Sequence, residues 1–124
     1  MMEPAHHDRV VAIVSHLPHL LAFTLCGTAD DLAGEGTQGA SRSEVLKFAA
    51  AGFRDFTRIA ASDPVMWRDI FLNNREALLE MLARFTEDAQ AMARAVRWGD
   101  GAYIEDKIVR GRAIRQGLIE LKQA

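Results

Sequence analysis

The chain has 124 residues, nearly half hydrophobic and about a quarter charged, with a formal net charge of −2. That is the composition of one soluble globular domain, and it gives no reason to expect a nucleic-acid or anionic-membrane partner. A single cysteine, Cys26, rules out a disulfide framework within one chain and suits a reducing, cytoplasmic setting. Met1 to Asp8 carries no signal-peptide pattern. A membrane span needs roughly 20 mostly apolar residues, and the longest apolar region, Val10 to Cys26, is interrupted by Ser15, His16, Pro18 and His19.

Helical periodicity dominates, and no segment alternates at period 2 long enough to make a strand. A first helix is predicted from about Asp8 to Cys26. Val10, Ile13, Val14, Leu17, Leu20, Leu21 and Leu25 form a wide apolar face, and Val11, Ala12, Ala22 and Phe23 make the other side apolar too. Such a helix expects burial on all sides. Pro18 lacks the N–H that would bond the Val14 carbonyl, so a kink is expected there.

Gly27 to Ala40 reads as a loop with four glycines. Ser41 with Glu44 has capping-box spacing and opens a second helix, whose inward face is Val45, Phe48, Gly52, Phe56 and Ile59 and whose end falls near Ala61. Asp63-Pro64 is a new helix start, an N-cap followed by proline. From there Trp67, Phe71, Asn74, Leu78, Met81, Phe85, Ala89, Met92 and Val96 step by 4 and 3 without a breaker until Gly99. That predicts a third helix of about 34 residues, a rod of roughly 50 Å. Gly99-Asp100-Gly101 stops it, and a fourth helix carries Ile104, Ile108, Gly111, Ile114, Leu118 and Leu121 on one face. The fold class is therefore all-α, with four main helices in a single domain spanning 1–124. The all-round apolar first helix and the over-long third predict an intertwined homodimer, because one copy cannot cover both.

Several polar groups interrupt these apolar faces. His16 and His19 are three residues apart on one face of the first helix. They could share a metal, but no third ligand is identifiable and no metal site is assigned. They could also be hydrogen-bonded core histidines, or part of a binding site with Ser15 and the carbonyl exposed at the proline kink. Asp55, Arg58 and Ser62 fall at i, i+3 and i+7, with Arg54 adding positive charge. Asp55 and Arg58 read equally well as a surface pair of little energetic worth or as a guanidinium held with its fork free for a carboxylate. Trp67 reads first as core, with an indole N–H that wants a partner.

Gly34-Glu35-Gly36-Thr37-Gln38-Gly39 spells G-x-G-x-x-G. A dinucleotide fingerprint must follow a strand and open a helix. Here it follows a helix, and the next helix has its own cap at Ser41, so a plain loop is expected. No nucleophile with its base and no carboxylate pair is recognisable, and no catalytic residue is assigned to this chain.

Two stretches carry a resemblance. One is His7 to Phe23, with Ser15-His16-Leu17-Pro18-His19 inside it. The other is Gly52 to Ile70, which reads Gly52-Phe53-Arg54-Asp55-Phe56-Thr57-Arg58, then Ala61-Ser62-Asp63-Pro64, then Met66-Trp67-Arg68-Asp69-Ile70. Together they resemble the prephenate dehydrogenases, also called cyclohexadienyl or arogenate dehydrogenases, from about Ala5 to the end of the chain. The resemblance implies oxidative decarboxylation of prephenate or arogenate with NAD or NADP, in tyrosine biosynthesis. It is to the helical C-terminal half only, the part that pairs subunits and completes the substrate pocket. The nucleotide-binding half, with its Rossmann fold and catalytic histidine, is unmatched, so this chain alone is expected to be inactive and to bind neither NAD nor NADP.

By resemblance, Arg58 binds the substrate's ring carboxylate, His19 and Ser62 lie near its side chain, and Asp55 and Trp67 support the pocket. Ser15 and His16 belong to the same motif. Prephenate or arogenate is the implied substrate, with tyrosine a further candidate ligand. Ala51 stands where the family often has glycine or serine. The competing reading is a stand-alone helical dimerisation or ligand-sensing module without catalytic activity. Retention of His19, Arg58 and Ser62 together favours the enzyme.

Overall fold

The computed structural model describes residues 2–33 and 50–121, and among them every regular element is helical. The first helical run comprises α1 (Pro4–Val11), a π turn (Ala12–His16) and α2 (Leu17–Ala33). Next come α3 (Ala51–Thr57) and a 3-10 turn (Arg58–Ala60), then α4 (Pro64–Asn73), α5 (Arg75–Trp98) and α6 (Gly101–Glu120). The chain divides into two compact units, Met1–Leu82 and Ala83–Ala124, with the boundary inside α5.

The expected kink at Pro18 takes the form of the π turn just before it. The Leu17 N–H bonds the Ala12 carbonyl, five residues back. A widened turn accommodates the donor that Pro18 lacks and the room its ring needs. The run also extends further than expected, through Ala33, so the residues from Gly27 to Ala33 are helix and not loop. Only Gly27 opposes helix there, and Thr28 ties its hydroxyl to the Thr24 carbonyl at 3.1 Å. The G-x-G-x-x-G segment and the Ser41–Glu44 capping box lie outside the described residues.

In the first unit the core joins Ala12 and Leu17 of the first helical run to Ala77, Leu78 and Met81 of α5, with Leu20, Leu21, Phe71 and Leu82 packed around them. By length and composition alone Pro4–Leu32 could cross a membrane; the core helix of a folded domain passes the same test, and Ala12 and Leu17 are core residues here. The expectation that this helix is buried on every side is not met within one chain. Ile13, Val14 and Leu25 are exposed.

The long third helix is two helices. Asn74 breaks it with φ −117° and ψ 37°. The Asn74 amide nitrogen reaches the Asp8 carbonyl at 2.9 Å, while the Asn74 N–H still bonds the Ile70 carbonyl and the Leu78 N–H the Asn74 carbonyl across the break. What remains unbroken is α5, 24 residues, or roughly 36 Å. The expected start at Asp63-Pro64 is as read: the Asp63 carboxylate accepts from the Val65 N–H at 3.1 Å.

In the second unit, α5 ends in a Schellman turn. Gly99 has φ +71°, the Asp100 N–H bonds the Ala95 carbonyl at 2.8 Å, and the Gly99 N–H bonds the Val96 carbonyl at 3.3 Å. Asp100 then caps α6 through the Tyr103 N–H at 3.1 Å. No residue of α6 is buried. Ile108, Ile114, Leu118 and Leu121, from the apolar face read in the sequence, are all exposed, with Ile108 61% accessible.

A candidate substrate site around His19, Trp67 and Arg58

The first helical run places His16, His19 and Phe23 on one face, and α4 places Trp67 and Phe71 one turn apart, so two aromatic rows meet. His19 lies flat on Trp67, ring centroids 3.6 Å apart and planes 16° from parallel. His16 meets the same indole edge-on, centroids 6.2 Å apart at 83°. Phe23 and Phe71 complete the cluster, 6.5 and 5.8 Å from Trp67. Trp67 is buried, whereas both histidines are half-buried.

Each imidazole has a defined hydrogen bond. His19 Nδ1 lies 2.9 Å from the Ser15 carbonyl oxygen, one turn earlier. His16 Nδ1 lies 3.2 Å from Asn74 Nδ2. Burial, and secondarily repulsion from His19, hold the His16 imidazole below its ordinary pKa of 6.5. A neutral His16 is the form this environment favours.

Arg58 opens the 3-10 turn, and that turn packs against α2, the helix that carries His19. Its side chain is exposed. Among the described residues it forms no ion pair, so the Asp55–Arg58 pair considered from the sequence is not made. The reason is local: α3 ends at Thr57, so Asp55 and Arg58 no longer share a regular α-helical face. Ser62 sits in the bend beyond the 3-10 turn, and its hydroxyl donates to the Ile59 carbonyl. Ser15 is half-buried and contributes its carbonyl rather than its hydroxyl to the cluster. His16, His19 and Trp67 are thus brought together in contact, with Ser15 as the support of His19. Arg58 is carried on an element packed against the same helix, and Asp55 remains an exposed residue of α3. Among the described residues no cluster of metal-ligating side chains forms.

In the sequence Asn74 is one more position of the 4-and-3 stripe, and its role emerges from its bonds to Asp8 and His16. The signal was present: an amide on an otherwise apolar stripe needs a partner when the stripe is buried.

Residues 3–109 match the family model described as prephenate dehydrogenase, dimerization domain. The chain belongs to this family. It is 37% identical over 118 residues to a cyclohexadienyl dehydrogenase from Zymomonas mobilis, covering 95% of this chain and 39% of that protein. It is 37% identical over 118 residues to a prephenate dehydrogenase from Lactococcus lactis, covering 95% of this chain and 32% of that protein. A solved prephenate dehydrogenase from A. aeolicus, in complex with hydroxyphenyl propionate and NAD+, superposes with a TM-score of 0.72 at 36% identity, over 95% of this chain and 39% of that one. The chain thus spans 32–39% of the length of these relatives.

Proposed function

We propose that this chain is the subunit-pairing and substrate-binding domain of a cytoplasmic prephenate or arogenate dehydrogenase. NAD or NADP and the hydride-transfer machinery belong to a nucleotide-binding half; this chain alone binds neither nucleotide and is inactive. Two copies pair through the apolar residues left exposed on the first helix and on α6.

The observation that carries the substrate reading is the position of Arg58. An exposed guanidinium with no ion pair among the described residues stands on a turn packed against the helix of His19. Its planar fork suits a carboxylate, and prephenate and arogenate both carry one on the ring. Oxidation releases that carboxylate as CO2 while hydride leaves, so Arg58 orients it and neither gives nor takes a proton. His19 and Ser62 serve the substrate's side chain. Trp67 fixes the plane of His19 and Asp55 supports the pocket rim, while Ser15 and His16 complete the polar wall.

The test is Arg58→Ala in the enzyme that joins this domain to its nucleotide-binding half. A charge-assisted hydrogen bond contributes about 1.5–3 kcal/mol, so loss of the bidentate contact should raise the prephenate KM roughly ten- to a hundredfold and leave the nucleotide KM unchanged. Arg58→Lys should recover part of the loss, because an ammonium keeps the charge without the fork. Unchanged kinetics for both prephenate and arogenate would remove Arg58 from the site.

A further inference from the structure

His16 and His19 have their tautomers set by neighbours of opposite polarity. The chain of constraint at His16 begins at a backbone carbonyl. The Asp8 oxygen can only accept, so the Asn74 group 2.9 Å from it is the amide NH2 and not the amide oxygen. The same NH2 lies 3.2 Å from His16 Nδ1. That ring nitrogen must then accept, and the ring proton of the neutral imidazole sits on Nε2. At His19 the neighbour is the Ser15 carbonyl, 2.9 Å from Nδ1. A carbonyl accepts, so His19 Nδ1 donates, and in the neutral ring Nε2 carries a lone pair. Neither Nε2 has a hydrogen-bond partner among the described residues, and no buried side-chain nitrogen or oxygen there lacks one, so both Nε2 atoms are accessible.

We propose that Asn74 is a positioning residue that locks His16 as its Nε2–H tautomer, opposite to the Nδ1–H tautomer that Ser15 imposes on His19. The two imidazoles then present one donor and one acceptor on the same helix face. This arrangement takes a ligand that offers an acceptor oxygen to His16 and a donor to His19, which the side-chain ammonium of arogenate supplies and the pyruvyl side chain of prephenate, all acceptors, does not. The ligand class rests on the substrate reading above; the tautomer assignment does not. Asn74 acquires this role because its bond to the Asp8 carbonyl fixes which end of the amide faces the imidazole.

The experiment is a long-range proton–nitrogen correlation spectrum of the histidine-labelled full chain at pH 8, where ordinary imidazoles are neutral. The expected result is an unprotonated Nδ1 and protonated Nε2 for His16, with the reverse for His19, each assigned by loss of its signals in His16→Gln and His19→Gln. Asn74→Ala should move His16 toward a mixture of tautomers and leave His19 unchanged. Asn74→Asp, of nearly the same shape, should reverse His16 to Nδ1–H, because a carboxylate accepts where the amide donated. A wild-type His16 protonated on Nδ1 overturns the proposal without any variant, and so does a folded Asn74→Asp protein with an unchanged His16. Arg58→Ala kinetics do not enter this result. Failure of the substrate reading would leave the ring spectra as predicted, and failure of the tautomer assignment would leave the Arg58 effect intact.

Discussion

The imidazole of His19 stacks on the indole of Trp67 with ring centroids 3.6 Å apart. One ring comes from the first helix and the other from α4, so the contact both closes the first unit and fixes the orientation of a polar group at its surface. Burial holds the indole and the Ser15 carbonyl holds the imidazole, which leaves His19 little freedom about either side-chain bond.

Trp67→Ala should therefore be among the most destabilising substitutions in the chain. Truncating a buried tryptophan costs about 3–5 kcal/mol, and Phe23, Phe71 and both histidines lose their common neighbour. Urea denaturation should show the unfolding free energy falling by that amount, with Trp67→Phe losing much less. A Trp67→Ala protein as stable as the parent would contradict the packing described.

Acid should weaken the fold through His16. Its folded pKa lies below the unfolded value of 6.5 because burial, then His19, disfavour the charged ring. Between those two values the unfolded chain binds the additional proton, so stability rises with pH there. Stability is fully present above about pH 6.5 and is lost progressively as pH falls to the lowered folded value. Denaturation midpoints from pH 8 to 5 should show this decline, and His16→Gln should flatten it.

The exposed face of α6 should be an interface. Ile108→Glu combined with Leu118→Glu places two carboxylates on a face with no packing partner inside the chain. In an isolated monomer they would change stability by only about 0.5 kcal/mol each. In a dimer they would desolvate charge and dissociate it. Sedimentation at low micromolar concentration should show dimers for the parent and monomers or unfolded chain for the double variant; a compact parent monomer would end the pairing proposal.

Gly99→Ala should cost about 1–2 kcal/mol. The residue sits at φ +71°, where a Cβ is disfavoured, although no neighbouring atom within 4 Å would meet the added carbon. The loss is thus one of backbone conformation alone, and Gly99→Asn, which tolerates the left-handed region, should recover part of it. Thermal melts of the three proteins provide the comparison.

Much of this protein is legible along the chain. Helical period, the Asp63-Pro64 start and the Gly99 stop are local devices, set by a few consecutive residues, and each stands where the residues place it. The strings around His16–His19 and Asp55–Arg58 carry the family, and with it the residues proposed for the site. Other features needed the tertiary structure. Asn74 keeps the 4-and-3 step of a core residue, and nothing local says that it ends a helix. Its partners, Asp8 and His16, are 66 and 58 residues away. The stack of His19 on Trp67 and the opposed tautomers of the two histidines have the same origin. A periodic pattern reports which face of one element is buried, whereas the direction of a hydrogen bond depends on which polar atom another element brings to that face.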